Sequence, residues 1–329
     1  MNQFFMGFII IIFYLEYIEP FKTFESNSYY IEFRKSVKIR LKSKYSTIMN
    51  YYSILKGLDT GEVMQIGLNL AGWKKIPFDS AIHVKGNNIK KVFVSIDVST
   101  FDIYFAKILG CDCVLTHHPI GKSAVSFHKV FDRHVEYMVE KGIKKKLANS
   151  LVKDLKYKAY LKSHSLIYND VISLAKSLKM PLLNIHQPLD EYMRKVILFK
   201  LYKSKLRSVS DLVKAIEEIT EFKKALTRVI ICNGKSSNEI GEWVLVIAAG
   251  SNGGYDIART YYENNISTVI YLHIDYNELL KVKKDKRCKN LVILGHLAGD
   301  SIGMNKICKE LEKREIEVVK RGLIDDSSF

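Results

Sequence analysis

The feature that most constrains this chain is an alternation of short apolar runs with helical patterns that starts at Lys90. KKVFVSIDVS (Lys90–Ser99) reads as a strand, and Ser99 or Thr100 can cap a helix running to Leu109. CDCVLTHH (Cys111–His118) is too short and too apolar for anything but a buried strand, and Pro119 stops it. Helical patterns follow at about Phe127–Lys141 and across much of Lys144–Leu178, and Leu182–Ile185 is a further strand ending at His186. Val209–Glu221 reads as an amphipathic helix opened by Ser210. Strands then fall near Arg228–Cys232, Trp243–Ala248, Thr268–Leu272 and Leu291–Leu294. A helix over about Ser301–Arg314 and a short strand at Glu317–Val319 complete the pattern. Strands separated by helices of this length imply βαβ units and mainly parallel sheets.

Val92–His118 and Trp243–His273 both read strand, small-residue turn, helix, strand, His. This weak repeat implies an α/β protein of two similar lobes around one central site. The expected division is 49–200 for the first lobe, 201–227 for a helical connection and 228–329 for the second lobe. Residues 1–48 differ from the rest. Phe4–Leu15 is an apolar run of twelve residues, short of the roughly 20 that a spanning helix needs. It also lacks a basic n-region and a small-residue cleavage pattern. Met49 opens a stretch that reads as an enzyme start, so 1–48 is expected to be an extension outside the fold, with a membrane-surface anchor as the competing reading.

The net charge of +16 comes from 51 basic and 35 acidic residues, and the basic residues gather in bands at Lys141–Lys162, Arg194–Arg207 and Lys281–Lys289. No nucleic-acid reading motif accompanies them, so a solvated Lys-rich surface is expected, with no specific nucleic acid and no membrane partner. Five cysteines without a Cys-x-x-Cys pair fit a reducing, cytoplasmic compartment. Cys111 and Cys113 read as buried strand thiols.

Three clusters carry the chemistry. Thr116-His117-His118-Pro119 ends a strand, the edge at which open α/β sheets bind ligands. Adjacent side chains on a strand face opposite ways, so the two histidines suit two ions flanking a turn, or else form a surface pair. His186 and Asp190 follow a second strand, four apart. His296 and Asp300 follow a third, also four apart, and share a face if a helix begins there. Alone, Asp300 could equally cap the Ser301–Arg314 helix. Together the three strand ends would meet at one rim and suit a two-metal hydrolytic site for Zn, Fe or Mn. Gly250–Gly254 joins a strand to a helix and could offer Gly253 and Gly254 to a phosphate, or be only a tight turn.

With these residues in order, the chain resembles the GTP cyclohydrolase I type 2 proteins, the Nif-three-like family. Their strand-terminal His-His appears here as His117-His118, their central His-x₃-Asp as His186–Asp190, and their late Gly-His-x₃-Glu as Gly295–Asp300. The resemblance spans roughly Met49–Leu323. It implies a dinuclear site of two divalent ions liganded by His117, His118, Asp190, His296 and Asp300, with the two carboxylates bridging, and a ring-like homohexamer. Asp300 replaces the usual Glu and is one methylene shorter. Tyr271-Leu272-His273-Ile274 stands where many relatives carry Thr-Gly-Glu. His273 is then either a polar group at the site or a buried strand-end His, and His164 and His186 are further candidates to contact substrate. The implied activity is hydrolysis of a nucleotide or other phosphorylated small molecule by metal-bound hydroxide, Asp190 or Asp300 also shuttling a proton. The alternative is a non-catalytic metal-binding or regulatory protein.

Overall fold

A computed structural model of the chain describes residues 57–248 and 253–324. The readings made for residues 1–48 and for Gly250–Asn252 lie outside the described residues.

The first half of the alternation gives β1 (Ala81–Val84), β2 (Lys91–Ser95), β3 (Cys113–Thr116) and β4 (Leu182–Asn184), and the second gives β5 (Ile230–Asn233), β6 (Trp243–Leu245), β7 (Thr268–Tyr271) and β8 (Asn290–Ile293). The order is β1-β4-β3-β2 in one sheet and β5-β8-β7-β6 in the other, so the two halves share one topology. In each, three strands run parallel and the first strand pairs antiparallel with the last. The repeat read from the sequence is therefore a repeat of strand order. β9 (Glu317–Arg321) departs from the expected division: it leaves the second half and adds to the first sheet, parallel to β2.

Side chains alternate across the strands. Val92 and Val94 of β2 enter one core with Leu115 and Leu183, and Phe93 enters another with Val114 and Leu182. Two helices lie between both sheets. The helix Gln187–Lys203 gives Leu189 to the first-sheet core and Met193, Ile197 and Leu201 to the second-sheet core. The helix His296–Glu312 likewise gives Met304, Ile307 and Leu311 to the first and Ala298 and Ile302 to the second. Their contact is close because Gly303 meets the Leu189 backbone: a Cβ there would lie 2.7 Å from the Leu189 carbonyl oxygen.

Local chemistry moves several boundaries. The helix expected from Ser210 is Val209–Glu217, capped by Ser208, whose side chain and Asp211 form a capping box. Ser99 caps the helix Thr100–Ile108 in the same way with Asp102. The helix expected from Ser301 begins five residues earlier, at His296, after Gly295 turns the chain at φ +115°. All five cysteines are free thiols, with Cys111 and Cys113 buried at β3. Among the described residues no helix is long and apolar enough to cross a membrane.

Candidate metal centre

The strands deliver their ends to one place. His117 and His118 follow β3, His186 follows β4 and opens the Gln187–Lys203 helix, and His296 follows β8 and opens the His296–Glu312 helix. Because Asp300 lies inside that helix, one turn beyond His296, it is not the cap. The two share a face, with His296 Nε2 at 3.1 Å from Asp300 Oδ2. Neighbouring imidazole rings stand 4.7 Å apart for His117 and His186, 5.3 Å for His117 and His118, and 5.2 Å for His118 and His296.

All four histidines aim Nε2 at a carboxylate. His117 Nε2 lies 3.2 Å from Asp190 Oδ1 and 3.8 Å from Asp300 Oδ1, His118 Nε2 lies 3.2 Å from Asp300 Oδ2, and His186 Nε2 lies 3.7 Å from Asp190 Oδ2. Each carboxylate thus splits its two oxygens between different imidazoles. The opposite ring nitrogens are held from behind. His117 Nδ1 meets the Ile185 carbonyl at 3.0 Å, His118 Nδ1 meets Asp97 at 2.7 Å, and His186 Nδ1 meets Asp79 at 2.7 Å. A carbonyl only accepts, so His117 Nδ1 carries the hydrogen, and in the neutral ring Nε2 is a lone pair facing carboxylate oxygens. That arrangement is repulsive unless a cation or a proton sits between them.

The buried polar atoms fit a metal. His117 Nε2, both oxygens of Asp190 and Oδ1 of Asp300 are buried and make no hydrogen bond within the protein. Such orphans are costly unless paired or metal-bound. Three donor sets have ligand atoms within 4.8 Å of one another: His117, His118 and His186; His118, His296 and Asp300; and His117, Asp190 and Asp300. Imidazole and carboxylate donors of this kind suit Zn, Fe or Mn.

Without a cation, protons take that role. Burial works against a charged His118, but the hydrogen bonds to Asp300 and Asp97 outweigh it and raise the imidazolium to about 10. Burial likewise opposes charge on His117, and the Asp300 and Asp190 carboxylates reverse it. His186 goes the other way, held neutral by burial at about 3. Burial lifts Asp79 to about 7. Asp300 is held below the usual carboxylate range, the surrounding His117, His118 and His296 overcoming its burial.

The expected ligands His117, His118, Asp190, His296 and Asp300 converge, and His186, read from sequence only as a substrate contact, stands among them. His273 lies beside His296, ring centroids 4.9 Å apart and tilted, half-buried and outside the three donor sets. His164 packs edge-on against Tyr160 on the surface and is in none of these sets. Gly253 and Gly254 open the helix Gly254–Glu263, but the anion there is the chain's own: Tyr255 N donates to Glu278 Oε2 at 2.9 Å. This carboxylate occupies the position that a phosphate would need. Asp79 and Asp97 carry no spacing signal in the sequence. Asp97 could have been found from register, since β2 and β3 pair Ser95 with Thr116 and so bring Asp97 level with His118. The Lys bands contribute none of these groups, and several members are already paired, such as Lys156 with Asp132 and Arg287 with Asp285 and Glu263.

Two lobes of one strand order, with a His/Asp cluster capable of holding metal, define an α/β protein with a candidate metal centre. Comparison with solved structures narrows this. A NIF3 superfamily protein from Sphaerobacter thermophilus is 35% identical, with a TM-score of 0.77 over 81% of this chain and 99% of that one. The chain belongs to the NIF3 superfamily. Reduced HcgD from Methanocaldococcus jannaschii shares the fold at 13% identity, with a TM-score of 0.52 over 80% of this chain and 98% of that one. No family model matches the sequence, and no curated protein matches it.

Proposed function

We propose that the chain is a metal-dependent hydrolase of the GTP cyclohydrolase I type 2 kind, acting on a nucleotide or other phosphorylated small molecule. Two divalent ions would be held by His117, His118, Asp190, His296 and Asp300, with His186 as a sixth donor. The observation that carries this reading is the set of buried, unbonded acceptors on His117, Asp190 and Asp300, facing one another where a metal ion or a proton must sit between them. When bound, such ions supply Lewis acidity and bring the pKa of water near neutrality.

The chain's own groups have distinct tasks. Asp190 and Asp300 each offer two oxygens to different imidazoles, the donor arrangement of a bridging carboxylate. Either carboxylate can also hold a proton at Oδ during turnover. His118 and His296, with side chains 25% and 40% exposed, form the accessible rim against a buried His117 and His186, so substrate approaches from their side. His273, against His296, is positioned to orient it. A ring-like homohexamer in the cytoplasm belongs to the same reading and is checked by native mass determination.

The test is incubation of purified protein with GTP and Zn, Fe or Mn. Formate release with a pterin product is expected, and its absence removes the GTP assignment. Hydrolysis of other nucleotides or phosphoesters would keep the hydrolase class. Tight metal binding without turnover of any of them would favour the non-catalytic, regulatory reading.

A further inference from the structure

We infer that Asp79 is a positioning residue of the metal centre: its carboxylate fixes the ring of His186 so that Nε2 is offered to a metal. This rests on the metal-centre reading given above. Asp79 Oδ2 lies 2.7 Å from His186 Nδ1, and both side chains are buried, 0% and 3% exposed. Water therefore does not compete for either partner. A metal on Nε2 leaves the ring hydrogen on Nδ1, where the Asp79 carboxylate accepts it, so the contact holds the ring with Nε2 free on the Asp190 side.

The segment that carries Asp79 is itself pinned to the end of β4. Asn184 Nδ2 donates to the Asp79 carbonyl at 2.7 Å, and His186 N donates to Ser80 Oγ at 2.9 Å. Three hydrogen bonds thus bind the Asp79-Ser80 turn to the two residues that flank Ile185. One of them reaches the His186 ring itself, and the other two fix the turn against the end of β4. A carboxylate behind a ligating imidazole fixes its tautomer and raises its basicity. Asp97 makes the same 2.7 Å contact to His118, but its side chain is 84% exposed, so water can replace it. Of the two acids, Asp79 is the one whose loss nothing compensates.

The test uses the full chain with Co²⁺ as the probe, following affinity by chelator competition and the visible absorption of the bound ion. Asp79→Ala is expected to weaken Co²⁺ binding by about 10- to 100-fold and to alter the spectrum. Asp79→Asn keeps an acceptor of the same shape without the charge and is expected to lose less. In a His186→Ala background, Asp79→Ala should add less than about twofold, because the two residues act as one unit. Wild-type affinity and spectrum in both Asp79 variants would overturn the inference. So would an equal loss with and without His186, which would mean that Asp79 acts through the fold. Should Asp79→Ala fail to fold, the isosteric Asp79→Asn decides on the same two readouts, with thermal melts of the metal-free proteins as the control. A wild type that binds no Co²⁺ overturns the metal reading and this inference together. A wild type that binds it while the variants are unchanged overturns this inference alone.

Discussion

Gly303→Ala tests whether the two acidic helices must touch for the centre to form. A Cβ at Gly303 would lie 2.7 Å from the Leu189 carbonyl oxygen, 2.8 Å from its Cβ and 3.0 Å from its carbonyl carbon. These are mostly backbone atoms and cannot rotate away. Restoring ordinary contact at 3.4 Å or more asks the helices to separate by about 0.7 Å. Leu189 adjoins Asp190, and Gly303 is one turn from Asp300, so the separation falls on the pair of carboxylates. Metal–ligand distances tolerate only about 0.2 Å, so the geometry can no longer be met at both acids. Alanine gains about 1 kcal/mol of helix propensity over glycine, while overpacking costs about 1–3 kcal/mol. Against backbone the upper part of that range applies, so the metal-free protein should lose about 1–2 kcal/mol and metal affinity should fall at least about tenfold. Gly299→Ala is the control. Its Cβ would meet the Met193 sulfur at 2.8 Å and a Leu272 methyl at 2.9 Å, side-chain ends that can move, so its effect should be smaller. Urea unfolding with chelator present and competition binding of Zn²⁺ measure the two effects. A Gly303→Ala protein with wild-type stability and wild-type affinity would refute the close-approach reasoning.

Other expectations follow from the same geometry. Asp190→Ala should sharply reduce bound metal by elemental analysis, from an expected two equivalents per chain, because Asp190 faces both His117 and His186; unchanged content would refute the ligand assignment. A chelator should lower the melting temperature of wild type, since saturation at 100 times Kd contributes about 2.7 kcal/mol; an identical melt with and without it would argue against a bound ion. His134 is fully buried and neutral, with burial lowering its pKa to about 3 from the ordinary 6.5. The unfolded chain therefore takes up a proton below pH 6.5 that the folded chain refuses until about pH 3. Stability is full above pH 6.5 and falls as pH drops, by about 1.4 kcal/mol per unit for this one group. Denaturant unfolding from pH 6.5 to 4.5 should show a shallower decline in His134→Leu, and equal slopes would exclude the effect.

The parts legible in the sequence are those where one physical effect dominates. Residues 113–115 and 291–293 are buried on both faces and so read as apolar runs. The helix from His296 is legible only from Ser301 because His296 and Asp300 in its first turns interrupt the apolar period that marks the rest. The cap is Ser208 and not Ser210, because only Ser208 has an acid three residues on to complete a capping box. The clustered His and Asp residues are legible as His-His and His-x₃-Asp, spacings fixed by one strand or one helical turn. Asp79 is not, because its partner lies 107 residues away and only the pairing of β1 with β4 brings them together. The Gly253-Gly254 turn is the converse case. The sequence leaves it open between a phosphate cradle and a tight turn, with no sign that Glu278 accepts from this helix start.

The shared strand order explains why two acids arrive at one point. β4 and β8 occupy the same place in their sheets, and each is followed by a helix opening His-x₃-Asp: His186 and Asp190 after one, His296 and Asp300 after the other. Both helices lie in the layer between the sheets, so equivalent positions of the repeat become neighbours across it. A repeat alone would give a balanced site, and the differences between the halves tilt it. His117 and His118 at the end of β3 correspond in order to Leu272 and His273 at the end of β7, so the first half supplies two imidazoles to the cluster where the second supplies an apolar side chain and a histidine outside the donor sets. Asp79 and Asp97, which back His186 and His118, also come from the first half. The second half contributes the exposed part of the rim, His296 with His273 beside it. The first half thus supplies more of the clustered imidazoles and both backing acids, an asymmetry that the matched His-x₃-Asp motifs by themselves conceal.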